Sequence, residues 1–304
     1  MLNGIKSQFL LILIFKNIPE VTFLKLCKYN KKLQERIGLS INDYKKYNQI
    51  EIELILKDDY NIELKKYPDS EYNKIINRIE NKSFYHIYFD EGKEEINRDY
   101  LTQYDKVSKI KIILDMEITS LKNLFKDCHY IEELKFSKFN RTNILDMSSM
   151  FYNWRGSKLD ISKLKTNNTT NMENMFYNCF LEELDVSNFK TDKVINMSGM
   201  FDCCRDLKKL DLSNFKTDNV KDMSCMFQFC SGLKELDISN FNTENTQDME
   251  RMFWDCDSLE KIDISKLNLT NKCIDSLFVF CSKNLIQMVK TQNPGLNEKA
   301  FEKY

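Results

Sequence analysis

Between Phe125 and Phe278 the apolar positions fall into one recurring phrase. An apolar pair ends in Phe and in most copies a Cys follows three residues later, seven times over, at intervals of 25 or 26 residues. Met197-Ser198-Gly199-Met200-Phe201 and Met223-Ser224-Cys225-Met226-Phe227 show it most clearly. Each is followed by a second phrase, Leu210-Asp211-Leu212-Ser213-Asn214-Phe215 or Leu236-Asp237-Ile238-Ser239-Asn240-Phe241. A fixed period of this length marks a tandem array in which each unit buries its apolar side only against its neighbours. The pattern therefore predicts an α/β solenoid.

Within a copy, Met197, Met200, Phe201 and Cys204 sit at i, i+3, i+4 and i+7, the spacing that puts four side chains on one face of a helix about two turns long. The same offsets join Met172, Met175, Phe176 and Cys179, and likewise Met223, Met226, Phe227 and Cys230, and Met249, Met252, Phe253 and Cys256. Asp146, Asn171, Asn196, Asp222 and Asp248 stand just ahead of these segments, where a side-chain oxygen accepts an unpaired amide hydrogen and caps a helix. In the second phrase Leu-Asp-Leu-Ser alternates with period two, so Leu210 and Leu212 point inward and Asp211 and Ser213 outward. Strands from successive copies are then expected to lie in parallel ~4.8 Å apart. Phe189, Phe215 and Phe241, each followed two residues on by Thr191, Thr217 or Thr243, re-enter the core. Each copy reads as strand, turn, short helix and loop.

Outside the array the pattern is looser. Residues 5–47 read as short helices broken at Pro19 and Gly38, with Leu24, Leu26 and Leu33 on apolar faces. Residues 9–15 are the one strongly apolar run, too short for the roughly 20 residues that span a bilayer. Lys16-Asn17-Ile18-Pro19-Glu20 after it offers no small-residue cleavage site, so the run reads as a buried helix. Residues 48–82 read as a polar connector with helical spacing at Tyr72, Ile75, Ile76 and Ile79. Strand signals follow at Phe84–Phe89 and at Ile110, Ile112 and Leu114. They suit the divergent opening unit that an array needs where one side has no neighbour.

Charge and cysteine usage narrow the partners. The net charge of -1 provides no long-range pull toward nucleic acid or anionic lipid. Cys128, Cys179, Cys204, Cys230, Cys256 and Cys281 recur at one repeat position and read as a ladder of buried free thiols, with Trp154 filling the same slot in one copy. No Cys-x-x-Cys or Cys/His cluster supplies a tetrahedral metal set, and free thiols favour a reducing, cytoplasmic compartment. His86 and His129, the two imidazoles, stand in no nucleophile or metal arrangement, and no Gly-rich phosphate loop is present. Neither an enzyme nor a cofactor is expected.

From about residue 121 to residue 282 the two phrases recur together at constant separation, and they resemble the leucine-rich-repeat-like family related to BspA-like surface proteins. That resemblance implies a curved parallel solenoid used for contacts with other macromolecules, without catalytic residues. The segment Leu10-Leu11-Ile12-Leu13-Ile14-Phe15, with Phe23-Leu24-Lys25-Leu26-Cys27-Lys28-Tyr29-Asn30-Lys31, resembles an F-box-type motif, which implies recruitment of a ubiquitin-ligase linker protein. A helical cap or an unrelated small bundle is the alternative. The chain accordingly divides into 1–58, helical and F-box-like; 59–83, a connector; 84–120, an opening cap; 121–289, the repeat array; and 290–304, a closing cap or tail.

Three outward columns run along the array. Glu133, Lys158, Glu183, Lys209, Glu235 and Lys261 alternate in sign, an arrangement that penalises slipped registers. Next to it Asp160, Asp185, Asp211, Asp237 and Asp263 make a ladder of like charges, preceded by Lys135. The outermost column includes Ser187, Ser213 and Ser239 and leaves room for a ligand. The Asp ladder reads either as a strip for a partner with a basic segment or as carboxylates engaged by neighbouring Ser or Asn. Calcium is disfavoured because no loop has its ligand spacing. The expected function is a non-catalytic protein-interaction scaffold; a ubiquitin-ligase adaptor and an exported surface adhesin are the alternatives.

Overall fold

The computed structural model describes residues 30–37, 41–66, 73–78, 81–270 and 272–303. The apolar run 9–15 and the F-box-like segment up to Tyr29 lie outside the described residues.

Helices α1 (Lys31–Ile37) and α2 (Ile41–Tyr47) lead into β1 (Ile50–Leu56), where Ile50, Ile52, Leu54 and Leu56 are buried and the residues between them are not. This alternation makes a strand that lies inside the sheet. Reading residues 48–82 as a connector is corrected here: β1 is the middle strand of a five-stranded sheet, and α3 (Tyr60–Lys66) follows it. With β2 (Tyr85–Phe89), β3 (Lys109–Leu114), β4 (Ile131–Phe139) and β5 (Lys158–Asp160), the order is β2-β3-β1-β4-β5. Adjacent strands among the first four are antiparallel, and of the paired neighbours only β4 and β5 run parallel. Glu51 of β1 accepts ion pairs from Lys111 at 2.8 Å and Lys138 at 3.5 Å, which tie the strand to both neighbours.

The expected α/β solenoid of parallel strands and short helices is likewise corrected. The regular structure of the described residues is this mixed sheet, a two-stranded parallel one formed by β6 (Glu235–Leu236) and β7 (Lys261–Ile262), and few helices, none of them within a copy. The Met-Ser-x-Met-Phe segments are runs of tight turns. Each copy places two residues in the left-handed region, four positions apart: Ser149 and Asn153, Asn174 and Asn178, Gly199 and Cys203, all with φ between 52° and 61°. A right-handed helix cannot pass through such residues. The burial pattern survives the change, since Met197, Met200, Phe201 and Cys204 are all buried.

Backbone bonding in these turns alternates. Met150 N–H bonds back to Met147 O at 3.3 Å, while Phe151 N–H reaches Met175 O in the next copy at 2.9 Å. The pattern repeats at Phe176 to Met200, Phe201 to Met226 and Phe227 to Met252, at 2.9 to 3.0 Å. Successive copies are therefore stitched together through the first phrase. An unbroken line of parallel bridges runs through Ser120, Asp146, Asn171, Asn196, Asp222, Asp248 and Cys273.

Inside this line, Phe125, Phe151, Phe176, Phe201, Phe227, Phe253 and Phe278 form one ring stack, with centroids 5.3 to 5.9 Å apart and planes within 9°. Offset stacking of this kind adds to the gain from burial. Beside the stack, Cys179, Cys204, Cys230, Cys256 and Cys281 donate Sγ–H to the carbonyls of Phe151, Phe176, Phe201, Phe227 and Phe253 at 3.0 to 3.2 Å. All five are free thiols. Cys suits the slot because it packs as a small hydrophobe and still supplies a weak donor to a buried carbonyl.

The last copy is covered by the segment that follows it. Helix α4 (Lys283–Gln292) buries Leu285 and Val289, and its Gln292 side chain bonds Ile262 O and Ile264 N–H at 3.0 Å. Beyond it Lys299 O and Ala300 O accept from Ser276 and Phe278, the bonds a further copy would have taken, and Phe301 stacks on Phe278 at 6.0 Å.

Candidate interaction surface

The second phrase builds the opposite flank, and there the copies are joined differently. Regular pairing is confined to β4 with β5, one bridge between Glu183 and Lys209, and β6 with β7. Side chains supply most of the rest. Asn188, Asn214 and Asn240 each donate Nδ2–H to two or more carbonyls of the preceding copy, Asn214 to Val186 O at 3.0 Å and Phe189 O at 2.9 Å. The buried Thr166, Thr191 and Thr217 hydroxyls accept the N–H of Lys190, Lys216 and Asn242 at 2.7 Å and donate to the same residues' carbonyls at 2.9 Å. Sequence reasoning passed over these Asn and Thr columns as joints. The usable signal was Asn at a fixed place before an inward Phe.

The alternating column forms ion pairs two by two: Lys158 with Glu133 at 2.8 Å, Lys209 with Glu183 at 3.0 Å, and Lys261 with Glu235 at 3.1 Å. These are also the three places where backbone pairing occurs on this flank. Exposed pairs of this type contribute ~0–1 kcal/mol, so they act on register more than on stability.

The Asp ladder is built from five identical local turns. Asp160, Asp185, Asp211, Asp237 and Asp263 each accept the backbone N–H of the Ser two residues on, at 2.8 to 3.1 Å. Bonds from Ser162, Ser187, Ser213, Ser239 and Ser265 hold all five carboxyls below the ordinary carboxylate range. Each of the five is therefore ionised at neutral pH. Asp185, Asp211, Asp237 and Asp263 are exposed, as are Ser187 and Ser213, and Ser239 is half-buried. The structure thus brings each expected Asp and Ser together within its own copy. A local turn satisfies part of each carboxylate and leaves the rest facing out.

The caps before the first phrase use the same device. Asp146, Asn171, Asn196, Asp222 and Asp248 accept the N–H two residues on at 2.8 to 3.0 Å, so they cap turns where helix caps were expected. Asp248, Glu250 and Cys273 bring ligand-type atoms within 4.8 Å of one another, yet Asp248 is engaged in this turn. His86 lies in β2 between Glu95 at 3.1 Å and Asp115 at 3.2 Å. Burial lowers its pKa, but the bonds to the two carboxylates outweigh that and raise it.

The family described as Mycoplasma protein of unknown function, DUF285, matches residues 119–210 and 179–288. These overlapping matches cover more than half of the chain. The chain belongs to the DUF285 family. The DUF285 match covers the stacked copies and stops short of the closing segment around Phe301. Neither a curated protein nor a solved structure matches the chain. Among the described residues no helix is long and apolar enough to cross a membrane.

Proposed function

We propose that this DUF285 protein is a non-catalytic interaction scaffold whose Asp ladder contacts a partner protein through a basic segment of that partner. One observation carries the reading: none of Asp160, Asp185, Asp211, Asp237 and Asp263 has a Lys or Arg nitrogen within 4.0 Å among the described residues, because Lys158, Lys209 and Lys261 are taken by glutamates. A row of ionised carboxylates is left without a direct ion pair at the surface, although Lys135 and Lys163 act on Asp160, and Lys266 acts on Asp237 and Asp263, from farther away. Asp185 and Asp237 each push up the pKa of Asp211, which shows that the rungs act on one another. The resemblance to BspA-like surface proteins supports a contact role for the same flank.

The test is titration of the full chain with an oligolysine peptide, followed by calorimetry at low and high salt. Wild-type protein is expected to bind with strong salt dependence. Replacing Asp185, Asp211 and Asp237 with Asn keeps an acceptor for each Ser N–H, so the fold is retained while affinity drops about tenfold or more. Equal binding by this triple variant would overturn the reading.

A further inference from the structure

We propose that an open groove along the first three copies of the second phrase binds a small ligand bearing two or more phosphate-type oxyanions. The groove holds about 490 Å³ and is lined by Lys138, Lys163, Lys165 and Lys190, together with Asn167, Asn188 and neighbouring side chains. No Asp or Glu lines it. Four lysines thus line one groove in a chain whose net charge is -1.

The cluster comes from a substitution pattern along the stack. The position after the outward Ser carries Asn188, Asn214 and Asn240 in the third to fifth copies and Lys138, Lys163 and Lys266 in the first two and the sixth, and at the first two it adds to the Lys165 and Lys190 that line the same groove. Lys163 still does the joint's work, donating Nζ–H to Ser137 O at 2.7 Å, and Lys138 bonds Lys46 O at 2.7 Å and faces Glu51 at 3.5 Å. Asn bonds neighbouring carbonyls in other copies without adding charge, so Lys163 carries a positive charge its joint does not need, whereas the charge of Lys138 is shared with Glu51. Among the described residues, Lys165 and Lys190 have no side-chain hydrogen bond and no carboxylate within 4.0 Å. Two acids outside the groove act on it from a distance, Asp160 on Lys163 and Asp192 on Lys190, and each has a direct partner of its own, Ser162 for Asp160 and Lys216 at 2.8 Å for Asp192. Like charges so placed repel, and a multivalent anion removes that repulsion. The groove's volume falls in the range of small-ligand sites. Lysines act on phosphate as point charges, without the planar matching of Arg, so valence is expected to matter more than geometry.

The test uses the full chain and tripolyphosphate, with binding followed by calorimetry at low ionic strength. Replacing Lys165 and Lys190 with Gln is expected to weaken binding about tenfold. Replacing the distant Lys234 and Lys283 with Gln removes the same total charge and is expected to leave affinity unchanged. Vesicles of phosphatidylcholine with and without phosphatidylglycerol separate the sources. Displacement of tripolyphosphate by the anionic vesicles alone assigns the anion to a lipid headgroup, and no displacement assigns it to a soluble ligand. No heat with wild-type protein, or equal weakening in both double variants, would overturn the proposal. The Asn variants of the Asp ladder lie outside the groove, so this result and that of the scaffold test can fail separately.

Discussion

The two flanks of the repeat stack do the same job with different parts. On the first-phrase flank the backbone joins every copy to the next, over a continuous stack of seven Phe rings. On the second-phrase flank backbone pairing occurs only in places, and Asn amides, Thr hydroxyls and Glu–Lys pairs join the copies. The first flank can vary little without losing its spine. The second consists of replaceable side chains, which lets its composition change from copy to copy, as where Lys138, Lys163 and Lys266 stand in the column that elsewhere holds Asn188, Asn214 and Asn240. A surface meant to recognise partners is better built from the second kind of joint.

The largest expected effect is on the spine. Phe201 is fully buried between Phe176 at 5.7 Å and Phe227 at 5.8 Å, so Phe201→Ala should cost about 3–5 kcal/mol in urea unfolding. A cost near zero would mean that the ring stack does not hold the copies together. Next comes the side-chain joint: Asn214→Ala removes the side-chain donor to Phe189 O and one of the two donors to Val186 O, the other being Phe189 N–H, at about 1–3 kcal/mol. If Asn214→Ala proved more damaging than Phe201→Ala, the contrast between flanks would be inverted.

The smallest effect depends on pH and falls on the spine itself. Asp202 is buried with Oδ1 unpartnered, and burial raises its pKa to about 6, although Cys203 and Arg205 pull the other way. A carboxyl raised in the folded state contributes its stability fully below the unfolded pKa of about 4 and loses it as pH rises through about 6. Asp202→Asn should therefore raise stability near neutral pH, on the order of 1–2 kcal/mol after allowing for residual solvent, and change little near pH 4. Unfolding curves that stay parallel across this range would remove Asp202 as the source.

How much was legible follows from what burial patterns can and cannot encode. The offsets of Met197, Met200, Phe201 and Cys204 marked the inward face, and all four are buried. The same offsets suit a helix and a run of tight turns, so they did not separate the two. Asn153, Asn174, Asn178 and Gly199 did carry the turn signal, since Asn and Gly enter the left-handed region at least cost. That signal was blurred by Phe229, Arg251 and Phe280 in equivalent places, the first two held there by bonds to the next copy. Strand β1 was legible too, in the alternation of Ile50, Ile52, Leu54 and Leu56, but its charged surroundings hid it. Of the surface, the Asp, Ser and Glu/Lys columns could be listed from the period alone.

The sequence by itself determined the period, the buried set and the identity of each outward column, because these depend only on which residue types recur and how far apart. Tertiary structure decided the rest: turns in place of helices, the antiparallel strands laid against the first copy, the pairing of each Lys with one Glu and not another, and the gathering of four lysines into one groove. These depend on where a neighbouring copy puts its carbonyls, carboxylates and ammonium groups, and a linear pattern does not contain those positions.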